Sequence, residues 1–143
     1  MLSVRVWMKL LVVTSLFCAG NIYADNQGVI AHRGFETEEM TRSMVRAIFS
    51  MRLRRVGNGT QITVFVLPDA HPVHRLFTRK TLSLFPHQLR RSWDRYVYSG
   101  IGIAPIEVKT EDEMIDRVAI TPGSIGYISR EVLNENVRTI SVR

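Results

Sequence analysis

The stretch that decides the fold lies near the C-terminal end and reads Thr121-Pro122-Gly123-Ser124-Ile125-Gly126-Tyr127-Ile128. Pro122 cannot donate a backbone hydrogen bond, so it ends the helix that is predicted before it. Gly123 allows a turn that needs a positive φ. Residues 125–128 are a short apolar run typical of a buried strand, and Gly126 indicates a close approach by another part of the chain. The stretch therefore predicts a helix end, a tight turn and a buried strand in succession.

Strands and helices alternate upstream of this stretch. Apolar runs predict strands at residues 28–32, 62–67, 125–128 and 137–142. Apolar residues at helical spacing predict helices that follow Thr37, span residues 72–82, span residues 86–98 and follow Thr110, with a short helical turn at residues 130–133. This alternation predicts an α/β fold with a small mixed sheet flanked by helices.

Two helix starts and one hairpin are predicted from local chemistry. Thr37 is expected to cap the first helix, with Glu38 and Glu39 in its first turn. The stretch from Thr110 to Glu113 reads as a capping box. The Asn-Gly pair at residues 58–59 favours a tight hairpin before the strand at residues 62–67.

The N-terminal residues 1–24 read as a secretory signal peptide. Arg5 and Lys9 form a basic segment, and the apolar segment at residues 10–20 is too short to span a membrane. A retained anchor is the alternative, and lipid attachment at Cys18 is disfavoured by the bulky residues before it. We therefore expect a domain at residues 25–143, exported to the periplasm. Since Cys18 is the only cysteine, we expect no disulfide-linked partner.

The expected mature chain is basic. Removing residues 1–24 takes away two of the 19 Lys+Arg residues and none of the 13 Asp+Glu residues, which leaves a net charge of +4. Nucleic acid is not an expected partner of an exported domain. The charge is better suited to anionic ligands, acidic partner surfaces or a membrane headgroup layer.

Several segments in order resemble phosphate ABC transporter substrate-binding proteins, in particular short, single-domain members with a periplasmic-binding-protein-like domain. These segments are Ile48-Phe49-Ser50-Met51, residues 60–67, the helix with Phe77, Trp93, Ser99-Gly100-Ile101-Gly102, Pro105 and Gly123-Ser124-Ile125-Gly126-Tyr127. The resemblance implies a single lobe of a periplasmic-binding-protein-like fold. It also implies a non-enzymatic protein that binds a small anion such as phosphate and serves a membrane transporter.

The sequence departs from that resemblance at two points. Full-length members enclose their ligand between two lobes, and 119 residues leave room for about one. The family's Ser-Gly-Thr run, at the start of the helix after the central strand, corresponds here to His71-Pro72-Val73, and its upstream Arg falls near Leu67. Pro72 has no amide hydrogen and Val73 has no hydroxyl, so the phosphate ligands of the family are not carried over. Weak binding is therefore expected.

The candidate anion-binding residues are Asp69, His71, His74 and Arg75, at the start of the second long helix. A helix N-terminus with cationic side chains is suited to an anion. Two other interpretations remain for this segment: metal ligands, which Pro72 and the missing fourth ligand disfavour, or a solvated polar loop with Asp69 as a cap. The sequence predicts no cofactor and no metal.

Two further groups of arginines have structural and functional interpretations. Residues 52–55 include three arginines that either complement the end of a helix or steer an anionic partner. Arg90, Arg91 and Arg95 read as a solvated helix face. No nucleophile with a base is evident, so no enzyme activity is predicted. The alternative to anion binding is a periplasmic protein-interaction or sensory adaptor module that has lost the ligand site.

Overall fold

A computed structural model describes residues 28–143, and the predicted signal peptide at residues 1–24 lies outside this part of the chain. The strands are β1 (Gly28–His32), β2 (Glu39–Met40), β3 (Arg55–Val56), β4 (Thr60–Gln61), β5 (Thr63–Val66), β6 (Ile106–Glu107), β7 (Ser124–Ile128) and β8 (Val137–Val142). The helices are α1 (Arg42–Phe49), α2 (Pro72–Lys80), α3 (Pro86–Tyr98) and α4 (Glu111–Ile120). The alternation predicted from the sequence is confirmed.

Six strands form one mixed sheet in the order β2-β8-β1-β7-β5-β6, and β3 and β4 form a separate hairpin. β5 runs parallel to both β7 and β6, whereas β1 runs antiparallel to β7 and β8. The carboxyl ends of β5, β6 and β7 therefore lie at the same edge of the sheet.

The two faces of the sheet are covered by different helices. Gly126 of β7 faces α4, where an added Cβ would lie 2.5 Å from the Met114 sulfur. Tyr127 points to the opposite face, where its ring stacks on Phe77 of α2 at 4.0 Å and lies 5.7 Å from the ring of Phe49 of α1. The core thus fills both sides of β7, and the close approach predicted at Gly126 is confirmed.

The turn before β7 follows the prediction. Gly123 has a φ of +74°, and a Cβ there would lie 3.0 Å from the Gln61 carbonyl oxygen. The hairpin of β3 and β4 around Asn58 also forms as predicted. At α4, Thr110 accepts from the Glu113 N–H at 3.1 Å, but the Glu113 carboxylate accepts from Lys109 rather than from Thr110. The second hydrogen bond of the predicted capping box therefore comes from the Lys109 N–H, one residue before Thr110.

Two local predictions are wrong. The first helix is capped by Thr41, whose hydroxyl accepts from the Met44 N–H at 3.2 Å, and not by Thr37. Glu39 instead belongs to β2, which pairs with the distant strand β8. The helical turn expected at residues 130–133 does not form. Within residues 28–143, no helix combines the length and apolar character needed to cross a bilayer.

Candidate functional site

The candidate residues lie at the sheet edge where parallel strands end. β5 leads into residues 67–71 and then into α2, while β6 ends at Glu107, just before α4. In open α/β sheets, ligands bind outside the carboxyl ends of the strands. The chain topology therefore places the loop before α2 at the edge where this fold offers a binding site.

Asp69 is held by an arginine from a different helix. Its two carboxylate oxygens accept from Nε and Nη2 of Arg90, both at 2.9 Å, and Arg90 Nη2 also lies 3.6 Å from a Glu107 oxygen. The hydrogen bond from Arg90 lowers the pKa of Asp69, although burial opposes this shift. The same bond raises the pKa of Arg90. The pair is thus ionised, and it fixes a guanidinium between the ends of β5 and β6.

His74 is completely buried and bonded to Tyr127. The Tyr127 hydroxyl accepts from the Leu67 N–H at 2.8 Å. Burial raises the pKa of Tyr127, so the hydroxyl keeps its proton, and in the Nε2–H tautomer of His74 it donates a hydrogen bond to Nδ1. Nε2 then carries the imidazole proton and lies 3.6 Å from an Asp69 oxygen, which is beyond hydrogen-bond range.

The protonation state of His74 follows from its burial. Desolvation lowers its pKa to about 4, although the negative charge of Asp69 opposes the shift. His74 is therefore neutral at pH 7 and supplies no positive charge to an anion. Its structural contribution is its bond to Tyr127, whose hydroxyl also accepts from the Leu67 N–H at the end of β5.

His71 and Arg75 have different roles from this buried pair. His71 precedes α2 and caps it, because its Nδ1 accepts from the Val73 N–H at 3.2 Å. The backbone N–H of Arg75 bonds the His71 carbonyl at 3.1 Å, while its guanidinium is exposed. Within residues 28–143 that guanidinium forms no ion pair. It is the candidate group that remains open to an external anion.

The structure thus brings Asp69 and His74 together, places His71 at the cap and leaves Arg75 exposed on the first turn of α2. Among residues 28–143, no three His, Cys, Asp or Glu side chains lie close enough to share a metal ion. Asp69, His74 and Tyr127 stand in the order of a proton relay, but the 3.6 Å between Asp69 and His74 Nε2 is too long for a hydrogen bond. Tyr127, at the other end, is completely buried.

Sequence reasoning missed Arg90, Glu107 and Tyr127 as members of this cluster. Arg90 read as part of a solvated helix face, because helical spacing does not show which neighbour a half-buried residue meets. The available signal was topological, since residues that follow parallel strands meet at one edge of a sheet. A second signal was Tyr127, because a tyrosine in a buried apolar run needs a partner for its hydroxyl.

A larger concavity lies away from these residues, between the segment after α1 and the loop before β6. It has a volume of about 600 Å³, and we call it the basic groove. Its lining includes Arg52, Arg54, Arg55, Ile62, Ile101, Ile103 and Ile106. None of the four candidate residues lines it.

No protein-family model matches the sequence, and no curated protein is significantly similar to it. Solved structures share its fold. An ABC-type phosphate transport receptor from Vibrio cholerae aligns with a TM-score of 0.59 and 14% identity, over 81% of this chain and 45% of that one. A proposed phosphate ABC transporter substrate-binding protein from Clostridium perfringens, solved with bound phosphate, aligns with a TM-score of 0.66 and 16% identity, over 81% and 44%.

PstS from Borrelia burgdorferi aligns similarly, with a TM-score of 0.61 and 16% identity over 81% of this chain and 46% of that one. The chain therefore spans less than half the length of each of these three structures. The predicted similarity to phosphate ABC transporter substrate-binding proteins is confirmed at the level of the fold, as is the α/β single-lobe architecture.

Proposed function

We propose that this chain is a non-enzymatic, solute-binding-like domain that binds a small inorganic anion such as phosphate weakly. The observation that carries the proposal is the position of Arg90. Its guanidinium is fixed by Asp69 at the converging ends of β5 and β6, where this class of fold binds ligands. Arg75, on the neighbouring first turn of α2, adds an exposed cation at the same end of the sheet.

The contacts around the loop explain why binding should be weak. Pro72 has no amide hydrogen, and the Val73 N–H already donates to His71. Asp69 adds a negative charge, and His74 is neutral above a pH of about 4. A single lobe also leaves the anion open to water on one side. The site thus relies on Arg75, on His71 Nε2 and on the part of Arg90 that Asp69 does not occupy.

A paired substitution tests this site. The double variant His71→Ala, Arg75→Ala removes the exposed Arg75 guanidinium from the first turn of α2 and the imidazole of the N-cap residue His71. Isothermal titration with phosphate should then show the loss of the binding that this site contributes. The control is Arg79→Ala, which removes one positive charge from the other end of α2 and should leave the affinity within about twofold. Unchanged affinity in the double variant would remove this site.

The proposal also includes the export of this domain and its association with a membrane protein. We place the domain in the periplasm, delivered by the predicted signal peptide at residues 1–24, beside a membrane transporter or sensor protein. Fractionation of cells expressing the full chain tests this placement. Recovery of the shortened protein in the periplasmic fraction supports it, and recovery of the full-length protein in the cytoplasm contradicts it.

The basic groove favours a second candidate function, a protein-interaction or sensory adaptor module. Ile101, Ile103 and Ile106 are 57%, 72% and 39% exposed beside the arginines of the groove. An exposed apolar row next to cationic side chains is suited to a partner surface that is apolar with an acidic rim. Crosslinked capture from envelope extracts should enrich one membrane protein, and Ile103→Asp should abolish it. Leu133→Asp, at a fully separate exposed position, is the matched control.

A further inference from the structure

A second concavity lies between the end of α1 and one face of α3, and we call it the arginine pocket. Its volume is about 240 Å³, and its lining residues are Arg46, Ser50, Arg52, Leu84, Gln88, Arg91, Ser92 and Arg95. Four of these are arginines and none is acidic. The residues of α3 that contribute recur at helical spacing, so they share one face of that helix. Arg90 is not among them.

The charge of the arginine pocket is not compensated within residues 28–143. Arg90, Arg130, Arg138 and Arg143 each form an ion pair with a carboxylate. The four arginines of the pocket form none. Arg91 and Arg95 stand one helical turn apart, where like charges repel. A bound anion would relieve that repulsion as well as gain four cationic partners.

Two carbonyl oxygens under the pocket already accept hydrogen bonds from α3. The C-terminus of a helix carries a partial negative charge, and α1 ends here. Trp93 Nε1 donates to the carbonyl oxygen of Phe49, the last residue of α1, at 2.7 Å, and Ser92 Oγ donates to that of the C-cap residue Ser50 at 2.9 Å. These bonds also join α1 to α3. Arg46 and Arg52 therefore lie on a segment that is hydrogen-bonded to the helix that carries Arg91 and Arg95.

One polar side chain of the lining is held in the orientation of a donor. The Gln88 carbonyl oxygen accepts from the Phe85 N–H at 2.9 Å. Its amide nitrogen therefore remains available with two N–H groups. The lining thus combines guanidinium and amide donors and contains no carboxylate.

We propose that the arginine pocket binds a phosphate group, at a site separate from the loop before α2. Arginine binds phosphate oxygens through paired, charge-assisted hydrogen bonds. The volume is below the usual 300–1,000 Å³ range of pockets for drug-sized ligands, so it is suited to an oxoanion rather than to a large organic molecule. The phosphate belongs either to a free inorganic ion, such as phosphate or pyrophosphate, or to the headgroup of a membrane lipid.

Titration calorimetry with phosphate and with pyrophosphate, at constant ionic strength, tests the proposal in the purified protein. Cosedimentation with phosphatidylcholine vesicles, with and without 20 mol% phosphatidic acid (about one lipid in five), tests the lipid source. We expect Arg91→Ala, Arg95→Ala to weaken the arginine-pocket component of the binding by at least about tenfold, for whichever probe the wild type takes, and to leave any binding at the site before α2 unchanged. The conservative Arg91→Lys, Arg95→Lys variant keeps the charge and should weaken binding less.

The control variant is Arg79→Ala, Arg117→Ala, which removes the same charge from exposed positions outside the arginine pocket and should bind like the wild type. Equal binding by the Arg91→Ala, Arg95→Ala variant and the wild type overturns the proposal, as does equal weakening in the control. Absence of binding by the wild type to all of these probes also overturns it. If binding is lost only in His71→Ala, Arg75→Ala, the anion site before α2 stands and the arginine pocket does not.

Discussion

The Tyr127 hydroxyl accepts a hydrogen bond from the backbone N–H of Leu67 at 2.8 Å. A side chain of β7 thus provides the partner for the amide of the residue that follows β5. The same oxygen bonds His74, at the first turn of α2. The end of β5, strand β7 and helix α2 are therefore joined through a single buried oxygen atom. This relationship sets the position of the loop that carries Asp69.

Replacing Tyr127 with Phe should lower the free energy of unfolding by about 3 kcal/mol, because two buried polar groups lose their partner. The ring stacking on Phe77 would be kept, so the loss of stability would measure the contribution of the hydroxyl. Urea unfolding at pH 7 measures it. Tyr98→Phe is the control, since Tyr98 is 88% exposed and its hydroxyl should contribute less than about 0.5 kcal/mol. A Tyr127→Phe protein as stable as the wild type would show that the bond is unimportant.

The buried His74 predicts a loss of stability at mildly acidic pH. Its folded-state pKa of about 4 lies below the value of 6.5 for an exposed histidine. The unfolded chain therefore binds a proton between those two values while the folded chain does not, and stability falls as the pH falls through this window. Between pH 7 and pH 4.5 the loss should be about 2 to 3 kcal/mol.

The control for that titration is His74→Gln, which cannot titrate. Urea unfolding of both proteins at several pH values separates the contribution of His74 from that of other groups. The difference in free energy between wild type and variant should shrink steadily as the pH falls from 6.5 to 4.5. A constant difference over that range would show that His74 is not held neutral by the fold.

The contact between Gly126 and Met114 predicts a cost for any side chain at Gly126. A Cβ there would lie 2.5 Å from the Met114 sulfur and 3.2 Å from its Cγ, and α4 would have to shift or Met114 change its rotamer. Gly126→Ala should cost about 1 to 3 kcal/mol. Gly28→Ala, where the nearest atom would be at an ordinary 3.6 Å, should change stability by less than about 0.5 kcal/mol. Thermal unfolding of the two variants compares them, and equal effects would contradict the close approach.

The pairing of Arg90 with Asp69 predicts a change in the ionisation of the carboxyl. In Arg90→Gln the pKa of Asp69 should rise, because the hydrogen bond from Arg90 is the main cause of its low value. Carbon-detected NMR titration of the carboxyl measures this, with Arg91→Gln as the control that leaves it unchanged. Since both side chains are more than a third exposed, the stability lost at pH 7 should be only about 1 kcal/mol.

Local sequence chemistry predicted some elements to the residue. The bounds of α3 match the prediction at Pro86 and Tyr98, because a proline suits the first helical position and glycine follows the end. The start of α1 was misplaced for a reason that no local pattern contains. Met40 pairs with Val142, about a hundred residues away, and this strand pairing takes the segment that would otherwise begin the helix.

The candidate site also combines residues that the local sequence reveals with residues that only the fold brings to it. Asp69, His71 and His74 could be found because they lie within six residues of one another at the start of a helix. Arg90, which lowers the pKa of Asp69, and Tyr127, which is bonded to His74, come from other elements of the fold. Which face of α3 meets the loop depends on how α3 packs against the rest of the domain. That packing could not be read from the spacing of apolar residues alone.

The most direct test of the proposed function is thermal unfolding of the purified protein in phosphate, sulfate, nitrate and carboxylates, each against chloride of matched ionic strength. A ligand at 100 times its dissociation constant adds about 2.7 kcal/mol to stability. For a domain of this size the unfolding temperature should then rise on the order of 10 °C. We predict such a rise for phosphate and none for matched chloride. The same unfolding temperature in every anion would contradict anion binding and favour the interaction module.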